Sequence, residues 1–299
     1  MQIAVIGLGK MGYNLALNLH GKKFSVLGYD IFEDARKRLA VDGPTTASSL
    51  EDLAKKFTER KVIWLMVPSG QIVDDTIDHL VPLLSKGDII IDGGNSHYKD
   101  SVRRYKMLEE KGIDFLDCGT SGGISGALEG VCVMIGGKKE VYQYCETIFK
   151  SIAVPDGALY CGDSGSGHYV KMVHNGVEYG MMQSIAEGFE VMNASEYKLD
   201  FAAVAKLWNN GSVIRGWLME LTQDAFTKDA HLDAIKGVMH SSGEGKWTLE
   251  AALDLGIATP VIAMSLLMRY RSMQADTFSG KVVAALRNEF GGHAVEKNV

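Results

Sequence analysis

A lysine, an asparagine and a glutamate stand at positions 171, 175 and 178, spaced i, i+4 and i+7. On a helix turning about 100° per residue, Lys171, Asn175 and Glu178 fall within about 60° of one another. His174 and Tyr179 flank them, while Val170, Val173, Val177 and Met181 take the other faces. So narrow a polar stripe serves a site or pairs a salt bridge at a domain contact; a solvated amphipathic face would be broader. The residue types suit alcohol oxidation. A lysine near its reference pKa of about 10.4 is a poor base at neutral pH. Burial beside other cations lowers it towards roughly 7–8, where it can accept a hydroxyl proton. Glu178 can supply a proton at a later step, and Asn175 can orient a hydroxyl or carbonyl without titrating.

Oxidation needs a hydride acceptor, and the N-terminus offers a place for one. Gly7-Leu8-Gly9-Lys10-Met11-Gly12 is a G-x-G-x-x-G directly after an apolar strand and at the start of a helical pattern. In that context the first glycine permits a tight turn, the second admits a pyrophosphate, and the third lets helix and strand approach. The phosphates then meet free amides at a helix N-terminus. Asp30 ends the second strand, where a carboxylate accepts from both adenosine-ribose hydroxyls and repels a 2′-phosphate, favouring NAD over NADP. Arg36, Lys37 and Arg38 lie close enough to leave use of NADP open. Val67-Pro68-Ser69-Gly70 and Gly93-Gly94-Asn95-Ser96 follow two further strands, at the carboxyl ends where doubly wound sheets bind ligands. Asn95 could bond a ligand hydroxyl there or be an ordinary asparagine in a glycine turn. The expected cofactor set is Gly7, Leu8, Gly9, Met11, Gly12, Asp30, Met66, Val67 and Asn95.

The elements that must hold these residues fall into two textures. Apolar runs at Gln2–Ile6, Phe24–Tyr29, Val62–Val67, Asp88–Asp92, Asp114–Cys118, Val131–Ile135 and Ala158–Cys161 read as strands, several of them apolar on both faces. Helical periods lie between them, one opening at Ser48-x-x-Glu51 in a capping-box pattern. Strands alternating with helices imply a Rossmann-type, doubly wound, mainly parallel α/β sheet. Beyond about residue 165, segments near 167–194, 200–210, 246–256, 259–274 and 279–290 read as helices. The expected domains are 1–165, nucleotide-binding, and 166–299, all-helical. The 34 glycines crowd the first half, and no proline lies between Pro155 and Pro260, which sets the two halves apart.

Composition narrows the class further. A net charge of −6 with no run of five Lys or Arg argues against a nucleic-acid face. Cys118, Cys132, Cys145 and Cys161 show no zinc spacing, and Cys132, inside an apolar run, reads as a packing residue. The N-terminus carries no basic leader and no apolar stretch approaches 18 residues, which predicts a soluble cytoplasmic protein without a membrane partner.

The pieces together resemble the 6-phosphogluconate dehydrogenase family, in its shorter bacterial NAD-preferring form, within the β-hydroxyacid dehydrogenase superfamily. They are the glycine loop, Leu65-Met66-Val67-Pro68, Asp92-Gly93-Gly94-Asn95-Ser96, Ser121-Gly122-Gly123 with Gly126-Ala127, Lys171-Met172-Val173-His174-Asn175-Gly176-Val177-Glu178-Tyr179, and Gly245-Lys246-Trp247-Thr248. They span essentially the whole chain. The resemblance implies a nucleotide domain followed by an all-helical one, with NAD as cofactor and no metal. It implies that Lys171 takes the C3 hydroxyl proton of 6-phosphogluconate and later protonates the ketone as CO₂ leaves. Glu178 then protonates C1 to give ribulose 5-phosphate, and Asn175 completes the catalytic set. Asn95, Ser121, Gly122, Gly123, His174, Asn175 and Tyr179 match positions that hold the sugar acid. Arg269, Arg287 and His293 match phosphate ligands, suited to bidentate recognition. The tail carrying Arg287 and His293 reaches a neighbouring subunit's site in family dimers, so a homodimer or homotetramer is implied. Gluconate metabolism or the pentose phosphate pathway is the implied setting.

Three departures stand out. Ser242 replaces a phosphate-binding lysine of longer members, Ile124-Ser125 replaces an acidic pair, and Asp30 replaces an Asn-Arg-Thr loop that selects NADP. Two rival readings remain beside the resemblance. One is a β-hydroxyacid dehydrogenase acting on an unphosphorylated acid such as 3-hydroxyisobutyrate, which would have no use for Arg269, Arg287 and His293. The other is a non-catalytic dinucleotide sensor, which would tolerate loss of Lys171 or Glu178.

Overall fold

A computed structural model describes residues 1–297. The first elements are β1 (Gln2–Ile6), α1 (Lys10–Gly21), β2 (Ser25–Tyr29), α2 (Glu33–Val41), β3 (Thr45–Thr46), α3 (Leu50–Lys56), β4 (Val62–Leu65) and α4 (Gln71–Leu80). There follow β5 (Ile89–Asp92), α5 (Tyr98–Glu110), β6 (Asp114–Ser121), α6 (Gly123–Glu129), β7 (Val131–Gly137), α7 (Lys139–Ile152) and β8 (Ala153–Gly162). The eight strands form one sheet in the order β3-β2-β1-β4-β5-β6-β7-β8. Every pairing is parallel except β6 with β7, which runs antiparallel through Leu116↔Gly137 to Ser121↔Cys132.

Both faces of the sheet are covered, which is why its strands read as unbroken apolar runs. Successive side chains point to opposite sides: Ile3 and Val5 enter one core, Ala4 and Ile6 the other. Ile89 and Ile91 against Ile90 repeat the division on β5. Leu15 and Leu19 of α1 and Ile148 and Phe149 of α7 close the first core. Leu53 of α3, Ile77 of α4 and Leu108 of α5 close the second. Each such side chain, fully buried, contributes about 1.5–3 kcal/mol.

The remaining elements are α8 (Ser166–Asn193), α9 (Phe201–Asn209), α10 (Trp217–Lys228), α11 (Gly243–Asp254), α12 (Pro260–Ser272) and α13 (Phe278–Gly291). Two compact units divide the chain at Asn175/Gly176, within α8. The second unit is built on aromatic packing: Phe189 lies 5.7 Å from Phe201 and 4.9 Å from Phe226, with Trp208 at 5.5 Å. No helix among the described residues is long and apolar enough to cross a membrane.

Two local expectations are corrected, and one helix is added. Helix α10 was not read from the sequence: its N-cap is Gly216, which offers no capping side chain. The cap of α3 lies one residue later than Ser48-x-x-Glu51. Ser49 accepts from the Asp52 amide at 3.1 Å, and Asp52 accepts in return from the Ser48 amide at 2.8 Å. Cys132 is exposed, because strand alternation on β7 turns Val131 and Val133 inward and the residue between them outward.

The thiols should therefore differ in reactivity. Burial pushes Cys118 well above its ordinary range and Cys145 up to about 12, and the thiolate is the reactive form. Alkylation of the native protein at neutral pH is expected at Cys132, with Cys118 and Cys145 labelled only after unfolding. Peptide mapping that finds Cys145 modified as fast as Cys132 would contradict this packing.

Candidate active site

The turn after β1 distinguishes its three glycines by what surrounds them. Gly7 has φ +92, and a Cβ there would lie 2.5 Å from the Met66 carbonyl oxygen. A Cβ on Gly12 would lie 1.9 Å from the Gly7 carbonyl oxygen, so helix and turn meet backbone to backbone. At Gly9, by contrast, nothing lies within 4 Å of the Cβ position. Gly9 is also the N-cap of α1, with no side-chain cap and no acidic residue in the first turn. An open glycine before an uncapped helix N-terminus fits a dinucleotide pyrophosphate.

Asp30, just after β2, is already engaged with the turn. Its Oδ2 accepts from the Leu8 amide at 2.6 Å and its Oδ1 from the Phe32 amide at 2.9 Å. Each oxygen keeps a second lone-pair direction for a ligand hydroxyl. The neighbouring cations are committed elsewhere. Arg36 donates to the Asp30 carbonyl at 2.6 Å, and Arg38 donates to the Leu8 carbonyl at 3.2 Å while stacking 4.0 Å over Tyr13. Lys37 pairs with Glu33 at 2.9 Å.

The loops after β4 and β5 touch. A Cβ on Gly94 would stand 3.0 Å from the Val67 carbonyl oxygen, and one on Gly93 would stand 1.9 Å from the Trp64 indole nitrogen. Met66 and Val67 are partly buried, and Asn95 is exposed.

The first turns of α8 are seated deep in the first unit. Asp117, fully buried on β6, accepts from the Gly165 amide at 2.6 Å and the His168 amide at 2.9 Å. The His168 ring nitrogen Nδ1 lies 2.7 Å from Ser101 Oγ on α5. Gly119 clears the way for the lysine beside it: a Cβ there would fall 2.3 Å from the Lys171 Cβ. Lys171 is only 6 % exposed, and its Nζ donates to Asn175 Oδ1 at 2.9 Å. The same oxygen lies 2.9 Å from His174 Nδ1, whose ring places Nε2 3.3 Å from Ser121 Oγ. With Oδ1 as acceptor, Nδ1 carries the proton and Nε2 accepts from Ser121, a tautomer assigned from these distances. Ser121 opens onto Gly122 and Gly123, both at positive φ, +119 and +63, in a turn only glycine enters without strain.

The structure thus brings Lys171, His174, Asn175 and Ser121 together in the first unit. Glu178 and Tyr179 follow on α8 within the second unit. There the Tyr179 hydroxyl accepts from the Ser242 amide at 3.0 Å, and Ser242 Oγ lies 3.0 Å from the same oxygen. The Arg269 guanidinium stacks 3.5 Å from the centre of the Tyr179 ring and donates to the His240 carbonyl at 2.8 Å. Arg287, at the end of α13, is exposed and has no ion pair among the described residues, and His293 follows it. Sequence reading missed Asp117, Ser101 and His168. For Asp117 a signal existed, a lone acid inside the apolar run Phe115-Leu116-Asp117-Cys118.

Comparison with known proteins adds to this geometry. Residues 2–162 match the model for the NAD binding domain of 6-phosphogluconate dehydrogenase, and residues 167–282 match that for its C-terminal domain. A Bacillus subtilis protein, YqeC, provisionally named as a 6-phosphogluconate dehydrogenase, is 56% identical over 297 residues, covering 99% of this chain and all of that one. The NAD(+)-dependent, decarboxylating 6-phosphogluconate dehydrogenase of Haloferax volcanii is 43% identical over 99% of both chains. An NADP(+)-dependent form from Bacillus subtilis is 40% identical over 91% of this chain and 61% of its own length. Among solved structures, Plasmodium falciparum 6-phosphogluconate dehydrogenase superposes with a TM-score of 0.84 at 32% identity, over all of this chain and 67% of that one.

The Asp117 cap should be measurable. Asp117→Ala leaves two buried amides without acceptors and is expected to cost about 1–3 kcal/mol in urea unfolding. Asp117→Asn keeps one acceptor oxygen and should lose less. Equal stability of all three proteins would remove the cap from this account.

Proposed function

The chain belongs to the 6-phosphogluconate dehydrogenase family, and from that premise we propose that it oxidatively decarboxylates 6-phosphogluconate to ribulose 5-phosphate and CO₂ with NAD. The observation that carries this reading is the buried Lys171 amine, aligned on Asn175 Oδ1 by a helix whose first turn is fixed to the nucleotide-binding unit. NAD, when bound, supplies the acceptor for the substrate hydride. Gly7, Leu8, Gly9, Met11 and Gly12 hold its pyrophosphate turn, Asp30 its adenosine ribose, and Met66, Val67 and Asn95 the loops beyond.

Lys171 takes the C3 hydroxyl proton as the hydride departs, leaving a 3-keto acid. A β-keto acid breaks its carboxylate bond with the electron pair flowing into the ketone, and Lys171, now protonated, donates to that oxygen. CO₂ leaves and an enediol remains. Glu178 protonates the carbon that becomes C1 of the product. Asn175 steadies the amine between these steps, since its amide oxygen accepts in either protonation state of the lysine. Ser121, Gly122, Gly123, His174, Asn175 and Tyr179 hold the sugar acid, while Arg269, Arg287 and His293 take the phosphate.

Three features support NAD over NADP. Asp30 presents a carboxylate, Arg36 and Arg38 are spent on backbone carbonyls, and Lys37 is spent on Glu33. The exposed apolar residues of α13, Phe278, Val283, Leu286 and Phe290, support a homodimer or homotetramer that brings the tail to a neighbour's site. One observation favours the rival acid: Ser242 bonds to Tyr179, at the position where the resemblance implies a phosphate-binding lysine in longer members, which would thin the phosphate site.

A substrate panel run with both cofactors decides among these readings. Purified protein is expected to reduce NAD with 6-phosphogluconate and release CO₂ without added metal; turnover of 3-hydroxyisobutyrate alone would sink the assignment. Lys171→Met should abolish oxidation while leaving cofactor binding intact, and near-normal NADH formation would refute the base. Asp30→Ala should narrow the NAD-to-NADP ratio of kcat/KM by about 10-fold or more, as expected when charge repulsion of the 2′-phosphate is removed. An unchanged ratio would take Asp30 out of the specificity account.

A further inference from the structure

Four acceptors converge on one buried cation in the first unit. Arg104, on α5, has no exposed surface. Its Nε donates to Asp74 Oδ1 at 2.7 Å, its Nη2 to the Gly70 carbonyl at 3.0 Å, and its Nη1 to Asp92 Oδ2 at 3.2 Å and Ser96 Oγ at 3.1 Å. Gly70 and Asp74 belong to the loop leaving β4 and the helix α4 it enters, while Asp92 and Ser96 belong to the end of β5 and the loop leaving it. An ion pair this deep recovers its desolvation only when nearly every donor is satisfied. Here the fork of the guanidinium does so, and its planar geometry dictates the separation of the segments it joins. Burial alone would push the Asp74 carboxyl up, but Arg104 and Arg103 outweigh it and hold it below its ordinary value.

Three residues of the loop after β5, Gly93, Gly94 and Ser96, are held in place. Asp92 accepts from the Ser96 hydroxyl at 2.7 Å and from the Gly94 amide at 3.3 Å. Gly93 lies against the Trp64 indole, and Gly94 against Val67. Asn95, between them, is exposed. The same helix α5 also carries Ser101, one turn before Arg104, which bonds to His168 at the start of α8.

We propose that Arg104 is a positioning residue that sets the spacing of the loops leaving β4 and β5, and thereby the place from which Asn95 meets a bound dinucleotide. The proposal rests on the cofactor reading given above. Lysine cannot substitute, because one ammonium on a flexible stem does not reproduce the fork.

The test measures dinucleotide dissociation constants without substrate, together with thermal unfolding midpoints, on the intact chain. Arg104→Lys is expected to weaken binding by about 10-fold or more, as for a ligand group displaced by a fraction of an ångström. Because the effect travels through Asn95, Arg104→Lys combined with Asn95→Ala should bind no more weakly than the weaker single variant. Ser96→Ala keeps both ion pairs and should weaken binding in the same direction by a smaller factor with its midpoint unchanged. Parent-like binding by Arg104→Lys and Ser96→Ala, or factors that multiply in the double variant, would overturn the proposal. Should Arg104→Lys fail to fold, Ser96→Ala with and without Asn95→Ala decides by the same criterion. A parent that binds neither NAD nor NADP overturns the cofactor reading itself, whereas a binding parent with insensitive variants overturns only the role of Arg104.

Discussion

A buried carboxylate holding the first turn of a helix is the contact on which the candidate chemistry depends. Asp117 sits on β6 with no exposed surface and accepts two amides from the start of α8. Those amides would otherwise be orphans, as the first four of any helix are, and the partial positive charge of the helix terminus offsets the acid's own burial. The seat is close enough that only glycine fits around it: a Cβ on Gly167 would fall 2.4 Å from the Met134 carbonyl oxygen, and one on Gly136 would fall 2.8 Å from the Gly167 nitrogen. With the helix start fixed, Lys171 follows one turn later against Gly119, and Asn175 one turn beyond that. A general base needs its place settled before its protonation state matters.

The turn after β1 solves a different problem with the same residue type. Gly7 and Gly12 are glycines because protein backbone fills the space a side chain would take, whereas Gly9 is a glycine beside open space. One motif therefore combines two glycines required by backbone packing with one whose side-chain position is open to a ligand. Asp30 shows a similar double duty. Its bond to the Leu8 amide helps hold the turn it is expected to serve, so a change there alters both the shape of the site and its charge.

Much of this was legible in the sequence because it depends on short-range order. The apolar runs of β1, β4 and β5 announce a sheet covered on both faces, and the i, i+4, i+7 spacing from Lys171 needs only a helix to become a stripe. What stayed hidden depends on partners distant along the chain. Arg104 meets residues up to 34 positions away, and Ser101 meets His168 across 67. An arginine on a helix reads as solvated unless its acceptors are known. Helix α10 escaped for a local reason, since Gly216 at its cap and the short segment before it carry no signal for a start. The shift of the α3 cap from Ser48 to Ser49 is the ordinary ambiguity of two adjacent serines followed by two acids.

Charge near the cofactor turn illustrates why counting cations misleads. Three basic residues in a row, Arg36-Lys37-Arg38, look like an invitation to a 2′-phosphate. Each has a partner in the folded chain, two of them backbone carbonyls that a phosphate would have to displace. Recruiting Arg38 to a new anion would expose the Leu8 carbonyl in the glycine turn, and recruiting Arg36 would expose the Asp30 carbonyl after β2, each at a cost comparable to a broken charge-assisted hydrogen bond, about 1.5–3 kcal/mol. The anionic side chain of Asp30 faces no such competition for its remaining lone pairs. On the proposed cofactor reading, specificity at this end of the site would follow from which groups are already satisfied, and not from the sum of their charges.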